Sequence, residues 1–240
     1  MYLYTSVAIA LFLSFVLIPQ DQNHTPEVAT AVQGNTFRWN SIVPYSISVS
    51  DVEDGKTDYN EIPSNEVVLV AKYLPDSIIV KEKAFDEEMN RHHDAVLGLS
   101  NALCLSCHAA KAKLIGPSFE QVAARYMNVP GAIELLTKRI IDGSTGNWGD
   151  LKMPPHPELK VQDAEEMVTW ILANNSDPDF IYFVGPQGSL RTKEKPANGP
   201  RAGVYVLTAS YFDHGIRNAG NGDDVRRKRG QHTLILRNAE

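Results

Sequence analysis

The chain has 240 residues, with 29 acidic and 23 basic side chains and a formal net charge of −6. Hydrophobic residues make up 43% and charged ones 22%, a globular composition that excludes wholesale disorder, collagen-like repeats and a multi-span membrane protein. The acidic balance excludes a nucleic-acid binder that relies on the charge of the whole molecule.

In chain order, the first charged side chain is Asp21, and an apolar stretch runs from Val7 to Ile18. That stretch falls short of the about 20 residues a spanning helix needs, so residues 1–20 read as a signal peptide for export. No Lys or Arg precedes it and no A-x-A site follows, which leaves an uncleaved anchor, with membrane association through it, as the alternative. Residues 35–82 are β-like. Pro44 to Val49 alternates apolar and polar, and Val67 to Tyr73 is rich in β-branched residues. Between them, Asp51, Glu53, Asp54 and Asp58 read as an acidic hairpin turn, with a calcium site as the second reading. Through FRWNSIVPYSISVSDVEDGKTDY and VVLVAKYL this part resembles the PKD-like, immunoglobulin-type β-sandwich modules of exported bacterial proteins.

The period becomes helical over residues 84–176. Phe85 to Leu99 forms a first helix; Phe119, Val122, Ala123 and Tyr126 follow the i, i+3, i+4, i+7 rule; and Ile133, Leu136 and Ile140 mark a third segment that Gly143 ends. Val161 to Ala173 is the last helix, with Met167 on its apolar face and Trp170 packing where it crosses the first. Within the first helix, His92 and His93 lie among charged residues and are expected at the surface; Met127, at the end of the second, is expected to pack. Residues 181–240 return to strand-like sequence at Ile181 to Val184, Gly203 to Tyr211 and Thr233 to Leu236, with Arg226, Arg227, Lys228 and Arg229 in a solvated loop. The expected architecture is therefore multidomain: a small amino-terminal β-sandwich, an all-α centre and a β-rich carboxy-terminal module.

Cysteine is the informative count. The chain has two, and both sit in Cys104-Leu105-Ser106-Cys107-His108. This C-x-x-C-H order suits covalent attachment of a c-type haem, because two thiols three residues apart can add to the two vinyl groups of one macrocycle, and the adjacent imidazole then faces the iron. A thioredoxin-type redox pair would want a βαβ context, a zinc site two further ligands at sensible spacing, and a disulfide here would constrain little. For the sixth iron position, Met153 stands 45 residues after His108 and is followed by Pro154 and Pro155, which fix an extended backbone behind its thioether. His156 is its rival.

The stretches LCLSCHAAKAKLIGPSFEQVAARY and RIIDGSTGNWGDLKMPPHPELKVQDAEEMVTWILA resemble a small class I bacterial cytochrome c over about 90 residues. The resemblance implies one covalent haem c on Cys104 and Cys107, with His108 and Met153 as axial ligands. It further implies that the Pro117 carbonyl accepts the imidazole N–H and that Trp148 meets a haem propionate. The function it implies is electron transfer rather than catalysis. A periplasmic carrier would exchange single electrons with redox partner proteins, a dehydrogenase donor and an oxidase or other acceptor. Two other readings stand beside it: a haem subunit of an oxidoreductase or peroxidase-like enzyme, and a binding protein driven by its β modules.

Overall fold

The computed structural model describes residues 23–75, 83–174, 177–195, 203–217 and 225–239. The expected export segment at 1–20 lies outside them. Among the described residues no helix is long and apolar enough to cross a membrane.

The first flank supplies β1 (Glu27–Val32), β2 (Thr36–Phe37), β3 (Ile42–Asp51), β4 (Gly55–Lys56) and β5 (Val68–Leu74). Four helices follow: α1 (Lys83–Asn101), α2 (Phe119–Tyr126), α3 (Ala132–Asp142) and α4 (Val161–Asn174). The second flank supplies β6 (Phe180–Val184), β7 (Gln187–Arg191), β8 (Val204–Phe212), β9 (Ile216–Arg217), β10 (Val225–Arg226) and β11 (Arg229–Asn238). Strand β3 shows why the sequence alternates. Val43, Tyr45, Ile47, Val49 and Asp51 are buried, while the residues between them face outward. Asp51 closes the β3–β4 turn by accepting the backbone N–H groups of Glu53 and Asp54 at 2.9 and 2.8 Å, in agreement with the hairpin reading of the acidic run.

The two flanks do not form the separate modules expected at 35–82 and 181–240. They build one body of two sheets. In the first, β3 pairs with β1 on one side and with β4 and β7 on the other; the second runs β2-β11-β8-β5-β6. Val43, Tyr45 and Ile47 of the first sheet share a core with Leu69, Tyr205, Leu207 and Leu236 of the second. A self-contained PKD-like amino-terminal sandwich is therefore corrected. The physical reason lies in β5, where six of seven residues are buried, so both faces and both edges need partners. Those partners are β6 and β8, which lie beyond the helices in sequence.

The helical segment docks on the outer face of the second sheet. Val68, Val70, Val204 and Val206 meet Phe85, Met89 and Val96 of α1 and Trp170 of α4 in a second core. His92 and His93 point into this junction rather than to solvent, with 4% and 0% exposure, which corrects the surface placement. The Trp170 indole donates to His92 Nδ1 at 3.0 Å, His92 stacks on Phe180 at 4.1 Å, and His93 Nδ1 lies 2.6 Å from Ser210 Oγ of β8. Lys72 pairs with Glu88 and Arg229 with Asp94, so part of the basic run is structural. Met127, by contrast, is exposed.

At one end of the sandwich, His214 bridges two segments. Its Nδ1 lies 3.0 Å from Asp54 and its Nε2 3.0 Å from Glu66. Both ring nitrogens face carboxylates, which only the doubly protonated ring can satisfy. Burial pulls its pKa down, but hydrogen bonds and attraction from Glu66 and Asp54 outweigh that, and the net shift is upward. A raised folded-state pKa gives stability that is fully present below about 6.5 and is lost as pH rises through the folded value. The melting-temperature gap between the native chain and His214→Gln should therefore be widest in mild acid and close towards alkaline pH. A gap that widens instead would refute the bridge. Half exposure keeps the effect small. His93 carries the opposite sign: burial, with Arg229 and His92 nearby, pushes it down to about 3, so its contribution falls away as pH drops below about 6.5.

Candidate functional site

Helix α1 leads directly into the cysteine motif. Leu103 turns the chain with φ 57°, and a short turn over Cys104–Ser106 is closed by His108 N–H donating to the Cys104 carbonyl at 2.9 Å. The turn puts Cys104, Cys107 and His108 on the wall of one cleft. Both thiols are free. Burial pushes the Cys104 thiol up to about 11, which keeps it protonated and counts against a thioredoxin-type nucleophile.

His108 is oriented by its own loop. Its Nδ1 lies 2.7 Å from the Pro117 carbonyl. A carbonyl only accepts, so Nδ1 carries the proton and Nε2 keeps a free lone pair. Phe119 stacks on the ring at 5.4 Å and 15°. Gly116 makes the close approach feasible, because a Cβ there would fall 2.4 Å from His108 Cε1. The N-terminus of α2 is fixed next to it by a capping box between Ser118 and Gln121.

Met153 lines the same cleft and sits on an isolated β-bridge with Ser144. Met153 N–H donates to the Ser144 carbonyl at 2.8 Å, and Ser144 N–H donates back at 3.1 Å. Gly143 has φ 79°, and a Cβ on it would lie 2.9 Å from the Met153 carbonyl. The backbone that carries the thioether is thus held from two sides. Trp148 stands at the rim, 38% exposed, with the Arg125 guanidinium 4.7 Å over its ring.

The structure brings all six candidates, Cys104, Cys107, His108, Pro117, Trp148 and Met153, to this one cleft. His156 faces elsewhere. Its backbone N–H reaches the Ile140 carbonyl at the end of α3, its ring pairs with Glu158 at 2.9 Å, and it lines a groove between α1 and α4. Met167 lines the cleft but is a core residue at 8% exposure. Two arginines that no motif marks also belong to this region. Arg125 donates to the Asn147 carbonyl at 2.7 Å, and Arg139 donates to the Tyr126 hydroxyl at 2.8 Å while lining the cleft. The signal for Arg139 was present: it falls three residues after Leu136, within the apolar stripe of its helix. Among the described residues no group of three or more His, Cys, Asp or Glu side chains is placed to hold a metal ion, the acidic turn included.

The residues fit a covalently held haem. Two thiols line the cleft beside an imidazole with a free nitrogen, and a soft thioether on a backbone-braced segment lines it too. Leu99, Val122, Ile140, Val168 and Ile171 give the cleft an apolar lining, to which Arg139 adds a positive charge.

Comparisons with known proteins agree with this chemistry. Residues 98–175 match the family model of cytochrome c. Over 69 residues the chain is 38% identical to cytochrome c-551 of Allochromatium vinosum, spanning 29% of this chain and 73% of that protein. Over 71 residues it is 39% identical to cytochrome c-551 of Azotobacter vinelandii, spanning 30% of this chain and 85% of that protein. Among solved structures, wild-type Nitrosomonas europaea cytochrome c552 shares 33% identity over 32% of this chain and 94% of its own, with a TM-score of 0.31.

Proposed function

The chain belongs to the cytochrome c family through residues 98–175, and on that premise we propose that it is an exported, periplasmic mono-haem carrier of single electrons. Haem c is its covalently bound cofactor. In this reading a dehydrogenase donates and a terminal oxidase or similar protein accepts. The carrying observation is the convergence of Cys104, Cys107, His108 and Met153 on one cleft.

When bound, the haem supplies a ferric/ferrous couple that needs no bond-making by the protein. Cys104 and Cys107 hold the macrocycle as thioethers. His108 offers Nε2 to the iron, and its Nδ1 proton on the Pro117 carbonyl sets the ring angle and strengthens the donor. Met153 would supply its sulfur as the second protein ligand, a soft donor that favours the reduced state. Trp148, which lines the cleft, and Arg125, which lies over its ring, would supply an N–H donor and a positive charge for a haem propionate. Ile115 and Leu151 line the cleft yet are 58% and 70% exposed, which supports outer-sphere exchange with a partner docked at the rim.

A peroxidase-like enzyme would need a sixth ligand that leaves readily. The bridge between Met153 and Ser144 and the tight packing at Gly143 speak against that. Attachment is tested by replacing both thiols, Cys104→Ser with Cys107→Ser, and extracting the protein under denaturing conditions. All covalent haem should be lost. Haem that survives extraction in this variant overturns the assignment.

A further inference from the structure

The segment that carries Met153 has little stiffness of its own. Gly143, Gly146 and Gly149 all adopt positive φ, at 79°, 79° and 110°. Three such glycines within seven residues give the loop many alternative conformations. The β-bridge to Ser144 is isolated, with no neighbouring ladder to reinforce it. Something else must hold Ser144 where Met153 can pair with it.

Asn147 meets that need. Its side-chain amide donates to Ser144 Oγ at 2.7 Å and lies 3.3 Å from the Thr145 carbonyl. Its backbone carbonyl accepts from Arg125 Nη1 at 2.7 Å. Arg125 belongs to α2 and lies over the rings of Tyr126 and Trp148, at 5.3 and 4.7 Å. One residue therefore ties the strand opposite Met153 to a helix and to the aromatic rim of the cleft. Through Ser144 the tie reaches both backbone hydrogen bonds of Met153.

We propose that Asn147 is a positioning residue that keeps Ser144 in register with Met153 and so keeps the thioether in the cleft. This rests on the reading of Met153 as the sixth ligand. Its role is kinetic as well as geometric: each opening of the bridge frees Met153 to swing away, and Asn147 makes such openings rare.

The test uses the haem-loaded protein. Cyanide enters ferric haem only after the sixth ligand leaves, so its binding rate under excess cyanide reads the opening of the Met153 segment. Loss of one such hydrogen bond should accelerate cyanide binding about tenfold in Asn147→Ala. Ser144→Ala removes the partner atom and should give a similar factor, and the double variant should add nothing further, because the two groups act as one pair. Amide hydrogen exchange at Ser144 and Met153 should quicken in step. Rates within about twofold of the native protein, or single-variant effects that multiply, overturn the inference. If Asn147→Ala fails to fold, Ser144→Ala tests the same bond. The near-infrared sulfur-to-iron band distinguishes loss of Met153 ligation from loss of its positioning. Its absence from the native protein sinks the Met153 reading and this inference together. Its presence in the native protein and loss in Met153→Ala, with Asn147→Ala kinetically unchanged, sinks only the inference.

Discussion

Replacing Met153 with alanine is expected to open the sixth iron position and to convert the carrier into a ligand-binding haem protein. The near-infrared sulfur-to-iron band should vanish, carbon monoxide should bind the reduced form, and cyanide should bind the oxidised form without delay. The reduction potential should fall by on the order of a hundred millivolts, because axial ligands move haem potentials over a range of roughly 0.8 V. The sign follows from the thioether, a soft donor that favours ferrous iron; an alanine leaves water or nothing in its place. Little of the fold should be lost, since Met153 is half-buried and its backbone bonds to Ser144 do not involve the side chain. The rival ligand makes a distinct forecast. His156 is turned away and paired with Glu158, so a nitrogen-ligated spectrum in the native protein, unchanged by Met153→Ala, would refute the proposed ligation.

Val70→Asp should do the reverse, sparing the chemistry of the cleft while destroying its support. Val70 is fully buried in the middle of β5, in the apolar layer where α1 meets the sheet. Its neighbours Leu69 and Ala71 point the other way, into the sandwich core. One strand thus serves two cores. A carboxylate at position 70 would sit in an apolar layer whose neighbouring cation, Lys72, already pairs with Glu88, and a buried charge without a good partner costs several kcal/mol, on the order of half the stability of an ordinary domain. We expect insoluble or uncooperatively folded protein, with the sandwich and helical segment lost together. Thermal unfolding followed by near-ultraviolet circular dichroism for the sandwich and by haem absorption for the helices would show it. Two separate transitions, with the helical one untouched, would mean that the junction is loose and the two bodies independent.

The site was more legible than the fold around it. Cys104, Cys107 and His108 lie within five residues, and Met153 is marked by the prolines behind it, so local pattern sufficed. Individual strands were also readable, as the alternation in β3 shows. What could not be read was pairing. Nothing local in VVLVAKY says that β5 pairs with β6 and β8, more than a hundred residues later. The run of apolar residues without alternation was itself the sign of a strand covered on both faces, and hence of a missing partner. His92 and His93 went astray for the same reason: their neighbours in sequence are charged, but their neighbours in space are Trp170, Phe180 and Ser210. Asn147 and Arg125 act through hydrogen bonds that span a loop and a helix, which no periodicity reports.

The helical segment leaves and rejoins the sandwich at adjacent points. Lys72 stands opposite Phe180 in the register of β5 and β6, and Tyr73 N–H donates to the Asp179 carbonyl at 2.8 Å. A short turn could join those ends as an ordinary hairpin, so geometry would let the cytochrome be lifted out as a cassette. Surface chemistry forbids it. Val68, Val70, Val204, Val206 and Phe180 would lose the layer that covers them, and a bare apolar face on an open sheet invites aggregation. The sandwich has become the obligate host of its guest: its backbone would tolerate the departure, but its side chains would not.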